Sequence, residues 1–165
     1  MDLLWQELSF GIADTRHLLV VALRLLAAVL LGAAIGFERE KARKPAGLRT
    51  HLMVTLGTTV FVLACTGYGM NPDALSRVVQ GVVTGIGFIG AGAILKLSQV
   101  REVHGLTTSA GIWMAAAIGV AVGLGELGLA LLATILSIVV LRFVIRVEHR
   151  DHEIAGPENI PGKMD

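Results

Sequence analysis

The sequence predicts an all-α membrane protein: a polytopic transmembrane bundle of about five helices, N-terminus outside and C-terminus in the cytoplasm. Apolar residues make up 54% of the 165-residue chain and charged residues only 16%, with a mean hydropathy of +0.72, well outside the soluble norm. The charges are gathered in short patches separated by apolar runs about as long as a bilayer is thick. The distribution of Lys and Arg between successive connections then sets the orientation.

The opening segment, 1–16, lacks a basic start and a small-residue cleavage site, so it does not read as a cleaved signal peptide. Leu4, Trp5, Leu8 and Ile12 recur at helical spacing, the pattern of a short amphipathic helix on the outer membrane surface. A helix needs about 20 residues to cross ~30 Å of hydrocarbon. Span one is placed at 17–37, with Arg24 as its only charge. The run Glu38 to Lys44 cannot sit in lipid, and Pro45 and Gly47 break the helix.

Span two is placed at 48–68, and Gly67, Gly69, Asn71 and Pro72 predict a turn in which Asp73 and Ser76 can cap the next helix. Span three is placed at 77–97 and a polar connection at 98–105. Thr107 and Thr108 open span four, placed at 107–124. Gly123, Gly125 and Gly128 around Glu126 predict a very short turn into span five, at 129–147. That span ends in Arg142 and Arg146, one turn apart and able to snorkel to the interface. The tail, 148–165, is polar, carries Gly156, Pro157 and Pro161, and is expected to be a short disordered cytoplasmic segment.

Arg39, Lys41, Arg43, Lys44 and Arg49 fall in the first connection and Lys96 and Arg101 in the third, against Arg16 and Arg77 on the opposite side. Positive-inside therefore puts the N-terminus out. Composition also excludes classes. Fourteen Lys and Arg offset by 13 Asp and Glu make no basic face for nucleic acid. The single cysteine, Cys65, excludes an intramolecular disulfide and a cysteine metal cluster, and reads as a buried inert thiol. No nucleophile–base pair, G-x-S-x-G, P-loop or H-E-x-x-H motif is present, so neither an enzyme nor a cofactor is expected, and no metal ligand is assigned.

Gly85-Ile86-Gly87-Phe88-Ile89-Gly90 is literally G-x-G-x-x-G, but no strand precedes it and it lies inside a span, so a dinucleotide site is rejected. Close helix packing is the physical alternative, because small residues improve van der Waals contact where lipid removes the hydrophobic drive. At 100° per residue, Gly81, Gly85, Phe88 and Gly92 share one face of span three, and Gln80, Thr84, Gly87 and Ala91 the adjoining one. Span three is therefore expected at the centre, with Gly90 among its packing residues. Thr108, Gly111, Ala115 and Gly119 form a ridge on span four, and Gly32 and Gly36 contribute from span one. These ridges serve folding within one chain or association between chains, with a homodimer favoured. A competing reading unwinds span three in mid-membrane to bind an ion beside Gln80 and Thr84, but no acid lies securely at that depth.

Two charged regions stand out. Arg24 either snorkels outward, to Asp14 or Asp73, or faces the bundle and fixes an acid or an anion. Glu38, Arg39 and Glu40, with Arg49, Thr50 and His51, mark the inner mouth of spans one and two. Anchoring needs only basic residues, so the mixed signs point to a salt-bridge network with Lys96, Arg101 or Glu102, or with a partner protein. His51 reads as a hydrogen-bonded interfacial residue rather than a metal ligand, and His104 as a solvated loop residue.

Four blocks carry a resemblance: Gly36-Phe37-Glu38-Arg39-Glu40; Lys44-Pro45-Ala46-Gly47-Leu48-Arg49-Thr50-His51; Gly85-Ile86-Gly87-Phe88-Ile89-Gly90-Ala91-Gly92; and Gly105-Leu106-Thr107-Thr108 with Ile112-Trp113. In order and spacing they resemble the bacterial MgtC/SapB family, from about Leu18 to Ile145. The resemblance implies a non-enzymatic, multi-pass inner-membrane protein linked to low-magnesium adaptation, energy and ion homeostasis and, in some pathogens, virulence. One role attributed to the family is contact with the membrane-embedded ATP synthase. The alternative function is a small oligomeric channel or transporter for Mg²⁺ or H⁺.

Carried over by position, the family-pattern residues are Arg24, Glu38, Arg39, Glu40, Gly47, Arg49, Thr50, His51, Gln80, Gly85, Gly87, Gly90, Gly92, Gly105, Thr107, Thr108 and Trp113. His104 stands where the family commonly has Arg. Longer members carry a soluble cytoplasmic domain after the last span, which this chain is expected to lack.

Overall fold

The computed structural model describes residues 15–67, 69–96 and 103–154. The expected amphipathic segment lies outside them save for Thr15 and Arg16, as do Arg101 and Glu102. Within these residues five helices make an all-α bundle: α1 (Thr15–Lys41), α2 (Leu48–Gly67), α3 (Pro72–Gly92), α4 (Leu106–Leu124) and α5 (Leu127–Ile154). Between α3 and α4, two-residue strands pair antiparallel, β1 (Leu95–Lys96) with β2 (Val103–His104). By length and composition α1 to α4 can each cross a membrane, and α5 opens with a shorter apolar stretch, Leu127–Phe143.

The helix ends explain where the boundaries move. At 1.5 Å per residue the 27 residues of α1 reach about 40 Å, so it carries Glu38, Arg39 and Glu40 as helix beyond the expected stop at residue 37. Arg43 turns the chain with a positive φ of 53°, and the Glu40 carboxylate Oε2 accepts the Leu48 N–H at 3.0 Å to cap α2. Helix α3 starts at Pro72, ahead of the expected 77, because Asn71 is its N-cap: Asn71 Oδ1 accepts the Ala74 N–H at 2.8 Å. It also stops at Gly92 rather than 97, where the chain turns into β1. Gly105 opens α4 at φ 96°, and a Cβ there would strike the Ala93 carbonyl, so both backbone and space demand glycine. Beyond Glu148, where disorder is expected, α5 continues as helix to Ile154.

The centre of the bundle is α4, which touches all four other helices. Small residues on several of its faces, among them Gly111, Ala115, Ala116, Gly119, Ala121 and Gly123, are buried and let neighbours approach from all sides. Ile118 and Val122 pack with Ala28 and Ile35 of α1 and with Ala130 and Leu141 of α5. The central place expected for span three is thereby corrected. Helix α3 buries little besides Ile86 and Gly90 and leaves Phe88 82% exposed, as suits a lipid-facing side. Glycine spacing alone does not say whether a neighbour fills the groove.

Candidate functional site

Helix α2 is clasped between α1 and α4, and its clasped face is polar. Thr55, Thr58 and Thr59 are buried there, and each hydroxyl donates back to a carbonyl one turn earlier: Thr55 to His51 O at 2.9 Å, Thr58 to Val54 O at 2.9 Å and Thr59 to Thr55 O at 2.8 Å. This back-bonding lets a hydroxyl enter a dry seam without an unmet donor. Thr59 also lies 2.8 Å from Gly119 O, which ties α2 to α4 directly.

Glycines set the spacing on both sides. A Cβ on Gly32 would lie 2.8 Å from Thr55 Oγ1, and one on Gly36 2.7 Å from Leu48 Cα. On the α4 side a Cβ on Gly119 would strike Thr58 Oγ1 and Thr55 O, and one on Gly123 would lie 2.6 Å from Val62 Cβ. Gly32, Gly36 and Gly119, expected to pack, thus lie close against α2. Gly90 lies close to α4 in the same way, its Cβ position lying 2.5 Å from Ser109 Oγ.

At the end of the seam beside the α1–α2 connection, here the charged end, sit Glu38, Arg39 and His51. Arg39 and His51 are fully buried and Glu38 nearly so. Arg39 Nη1 lies 3.8 Å from Glu38 Oε2, an ion pair too long for a hydrogen bond. His51 Nδ1 is 2.9 Å from Gly47 O; a carbonyl only accepts, so Nδ1 carries the hydrogen. That leaves Nε2 facing Gly111, where an added Cβ would lie 3.3 Å away. Glu38 Oε2, Arg39 Nε, Nη1 and Nη2, and His51 Nε2 are all buried without a hydrogen-bond partner.

The opposite end is closed by Arg24. It faces the bundle, where Nη1 donates to Gly123 O at 2.8 Å, on the last turn of α4. That turn ends in a Schellman arrangement, with Gly125 at φ 90°, Gly125 N donating to Val122 O and Glu126 N to Ala121 O. The guanidinium occupies the space beside Gly125, where a Cβ would meet Nη2 at 2.5 Å. A cation on α4's carbonyl end meets both an orphan acceptor and the negative pole of the helix dipole.

The remaining expected residues divide. Thr108 is buried at the start of α4, whereas Thr107 is exposed beside a groove between α4 and α5. Arg49 is exposed and Thr50 half-buried. Glu40 is occupied in capping α2. Gln80 and Thr84 are exposed on α3, the Thr84 hydroxyl donating to Gln80 O at 2.9 Å. Among the described residues nothing lies within 4 Å of a Cβ position on Gly81, Gly85, Gly87 or Gly92. Trp113 is exposed. The expected partners Arg101 and Glu102 fall outside the described residues, and so does the side chain of Lys96. Among the described residues no group of three or more His, Cys, Asp or Glu could hold a metal ion. Missed in the sequence was the threonine stripe of α2, although Thr55, Thr58, Thr59 and Thr66 sit at helical spacing.

The model of the MgtC family matches residues 25–150. The chain belongs to the MgtC family. Protein MgtC of Salmonella typhimurium (strain LT2) is 46% identical over 114 residues, covering 69% of this chain and 48% of the relative. Protein SrpB of Synechococcus elongatus is 42% identical over 132 residues, 73% of this chain and 72% of SrpB. YhiD of Escherichia coli K12, whose name carries a provisional magnesium-transporter label, is 40% identical over 129 residues, 72% of this chain and 58% of YhiD. The chain thus spans about half the length of the Salmonella relatives it matches. No solved structure matches it. With four helices long and apolar enough to cross a membrane, this MgtC-family chain is a multi-pass membrane protein.

Proposed function

We propose that this MgtC-family protein is a non-enzymatic regulator in the bacterial inner membrane. It serves magnesium and energy homeostasis by laying one helix against another membrane complex, with its N-terminus outside and the charged end facing the cytoplasm. The observation that supports this reading is the open face of α3. Among the described residues nothing lies within 4 Å of a Cβ position on Gly81 or Gly85, yet they line a groove of about 460 Å³ shared with Thr58 and Phe61 of α2. In lipid, small residues at such a groove favour close approach of another helix. The family resemblance offers the ATP synthase as a candidate complex, and a second copy of this chain would use the same face.

A transport reading draws on YhiD's name, but the seam between α1, α2 and α4 is closed by glycine contacts at Gly32, Gly119 and Gly123. The test is co-purification at native expression in mild detergent, with wild type against Gly85→Leu. Wild type retains a reproducible membrane partner, and Gly85→Leu loses it while remaining folded. A partner that binds both equally, or none at all, overturns the reading, as would Mg²⁺ or proton flux in liposomes holding the purified protein.

A further inference from the structure

The charged end of the α1–α2–α4 seam holds polar atoms that the docking face of α3 does not use. We infer that Glu38, Arg39 and His51 form an internal binding site whose ligand is a small neutral molecule able both to donate and to accept hydrogen bonds: water. The atoms left unmatched select that chemistry. Arg39 offers only donors, and its three guanidinium nitrogens are buried with no acceptor. Glu38 Oε2 offers only an acceptor, as does His51 Nε2 where Nδ1 carries the ring's one hydrogen, and both are equally buried and unpartnered. Arg39 Nη1 and Glu38 Oε2 stay 3.8 Å apart, and none of these atoms reaches another within hydrogen-bond distance.

Donors and acceptors that are close but not touching are matched by a ligand of both kinds. Buried waters take about three such bonds, to groups that would otherwise go unmet. A metal cation would stand against the guanidinium. A fully ionised oxyanion would stand against the Glu38 carboxylate and bring His51 Nε2 no hydrogen, and the Glu38 and Arg39 charges already cancel. The local sequence keeps side chains off the imidazole. Gly36 lies beside the His51 Cβ, with its own Cβ position at 3.2 Å, and Gly111 lies opposite Nε2. Thr55, one turn further into the seam, is already bonded to His51 O, so the site ends there.

The experiment is water-edited solid-state NMR on the full chain in lipid bilayers with ¹⁵N-labelled Arg and His, the two signals being assigned by their loss in Arg39→Lys and His51→Gln. Rapid transfer of water magnetisation to the Arg39 and His51 side-chain nitrogens, matching the exposed Arg43, is expected despite their burial. Transfer as slow as to the backbone amide of buried Thr55 overturns the proposal. Gly111→Ala sets a methyl group 3.3 Å from Nε2 and is expected to abolish the rapid transfer to His51 while circular dichroism shows the helices retained. Unchanged transfer in that folded variant also overturns it; should the variant not fold, the wild-type rates decide alone. Arg39 and His51 signals that shift on addition of inorganic phosphate would assign the site to an oxyanion instead. None of these readouts depends on a partner, so this site and the α3 docking face stand or fall separately.

Discussion

Glycine does opposite work in two regions of this bundle. In the α1–α2–α4 seam it marks where backbones meet: Gly32 and Gly36 press on one side of α2, Gly119 and Gly123 on the other. On α3, Gly81, Gly85, Gly87 and Gly92 repeat at the same kind of spacing, and among the described residues nothing lies within 4 Å of their Cβ positions. Contact therefore depends on what lies opposite. Thr55, Thr58 and Thr59 complement the seam glycines by folding their hydroxyls onto their own helix, whereas α3 borders an open groove. The seam holds three helices together, and the glycines of α3 leave a groove open.

The sharpest break of that comparison is a pair of equal insertions, Gly119→Leu and Gly85→Leu. At Gly119 even a Cβ would collide with the Thr55 carbonyl, which cannot rotate away. Overpacking costs about 1–3 kcal/mol where side chains can shift, and more where backbone is struck. Gly119→Leu is expected to abolish the monodisperse detergent peak in size-exclusion chromatography, while Gly85→Leu elutes and melts like wild type. Equal loss from both would erase the distinction between the regions.

Arg39→Met comes next. Removing one member of a buried ion pair strands the other charge and costs about 3–5 kcal/mol. With Glu38 left buried beside His51, a large drop in the thermal midpoint in detergent is expected. The double variant Glu38→Met/Arg39→Met is expected to recover most of that drop, because no charge is then left unpaired. If the double variant is as unstable as the single, direct packing of the Arg39 stem governs the site.

How far the sequence could foresee this contrast depends on the kind of signal. The helical bundle was legible, because a span must satisfy its own backbone and the apolar runs have to match the thickness of lipid. The small-residue contacts of Gly32, Gly36 and Gly119 were legible as pattern. The centre of the bundle was not: the G-x-G-x-x-G run drew attention to span three, while α4 earned its place through alanines and glycines spread over several faces. Arg24 shows a second limit. Its depth announced an intramembrane role, but its partner is the Gly123 carbonyl, a backbone atom that no sequence pattern displays. The burial of Arg39 and His51 depended likewise on how three helices converge, which no single-helix period encodes.

Arg24→Ala opens the seam from its other end. The lost bond is charge-assisted and meets a carbonyl on α4's last turn, so about 1.5–3 kcal/mol is expected. Faster hydrogen exchange should follow at the Gly125 and Glu126 amides, which close that turn. Lysine at this position keeps the charge at the helix end but not the fork, and is expected to restore only part of the stability. No change in exchange there would mean that the Schellman bonds hold the turn unaided.

The smallest effect lies on α3 itself and tests why that helix forms with so little packing. Asp73 and Ser76 are plausible caps by composition, but Asn71 Oδ1 takes the Ala74 N–H, with Pro72 preset at the first helical position. The Ser76 hydroxyl is spent on the Asp73 carbonyl, at 2.8 Å. Asn71→Ala should therefore cost about 1 kcal/mol, the usual worth of an N-cap, and Asp73→Ala less, since Asp73 contributes only its charge near the helix dipole. In the seam such a loss would be shared with neighbouring helices. On α3 it has few contacts to absorb it, so faster exchange should be confined to the first turn and the Ala74 amide should be the most affected. Exchange that instead rises along the whole of α3, as far as Gly90 against Ser109, would show that this helix holds to the bundle through its cap more than through its side chains.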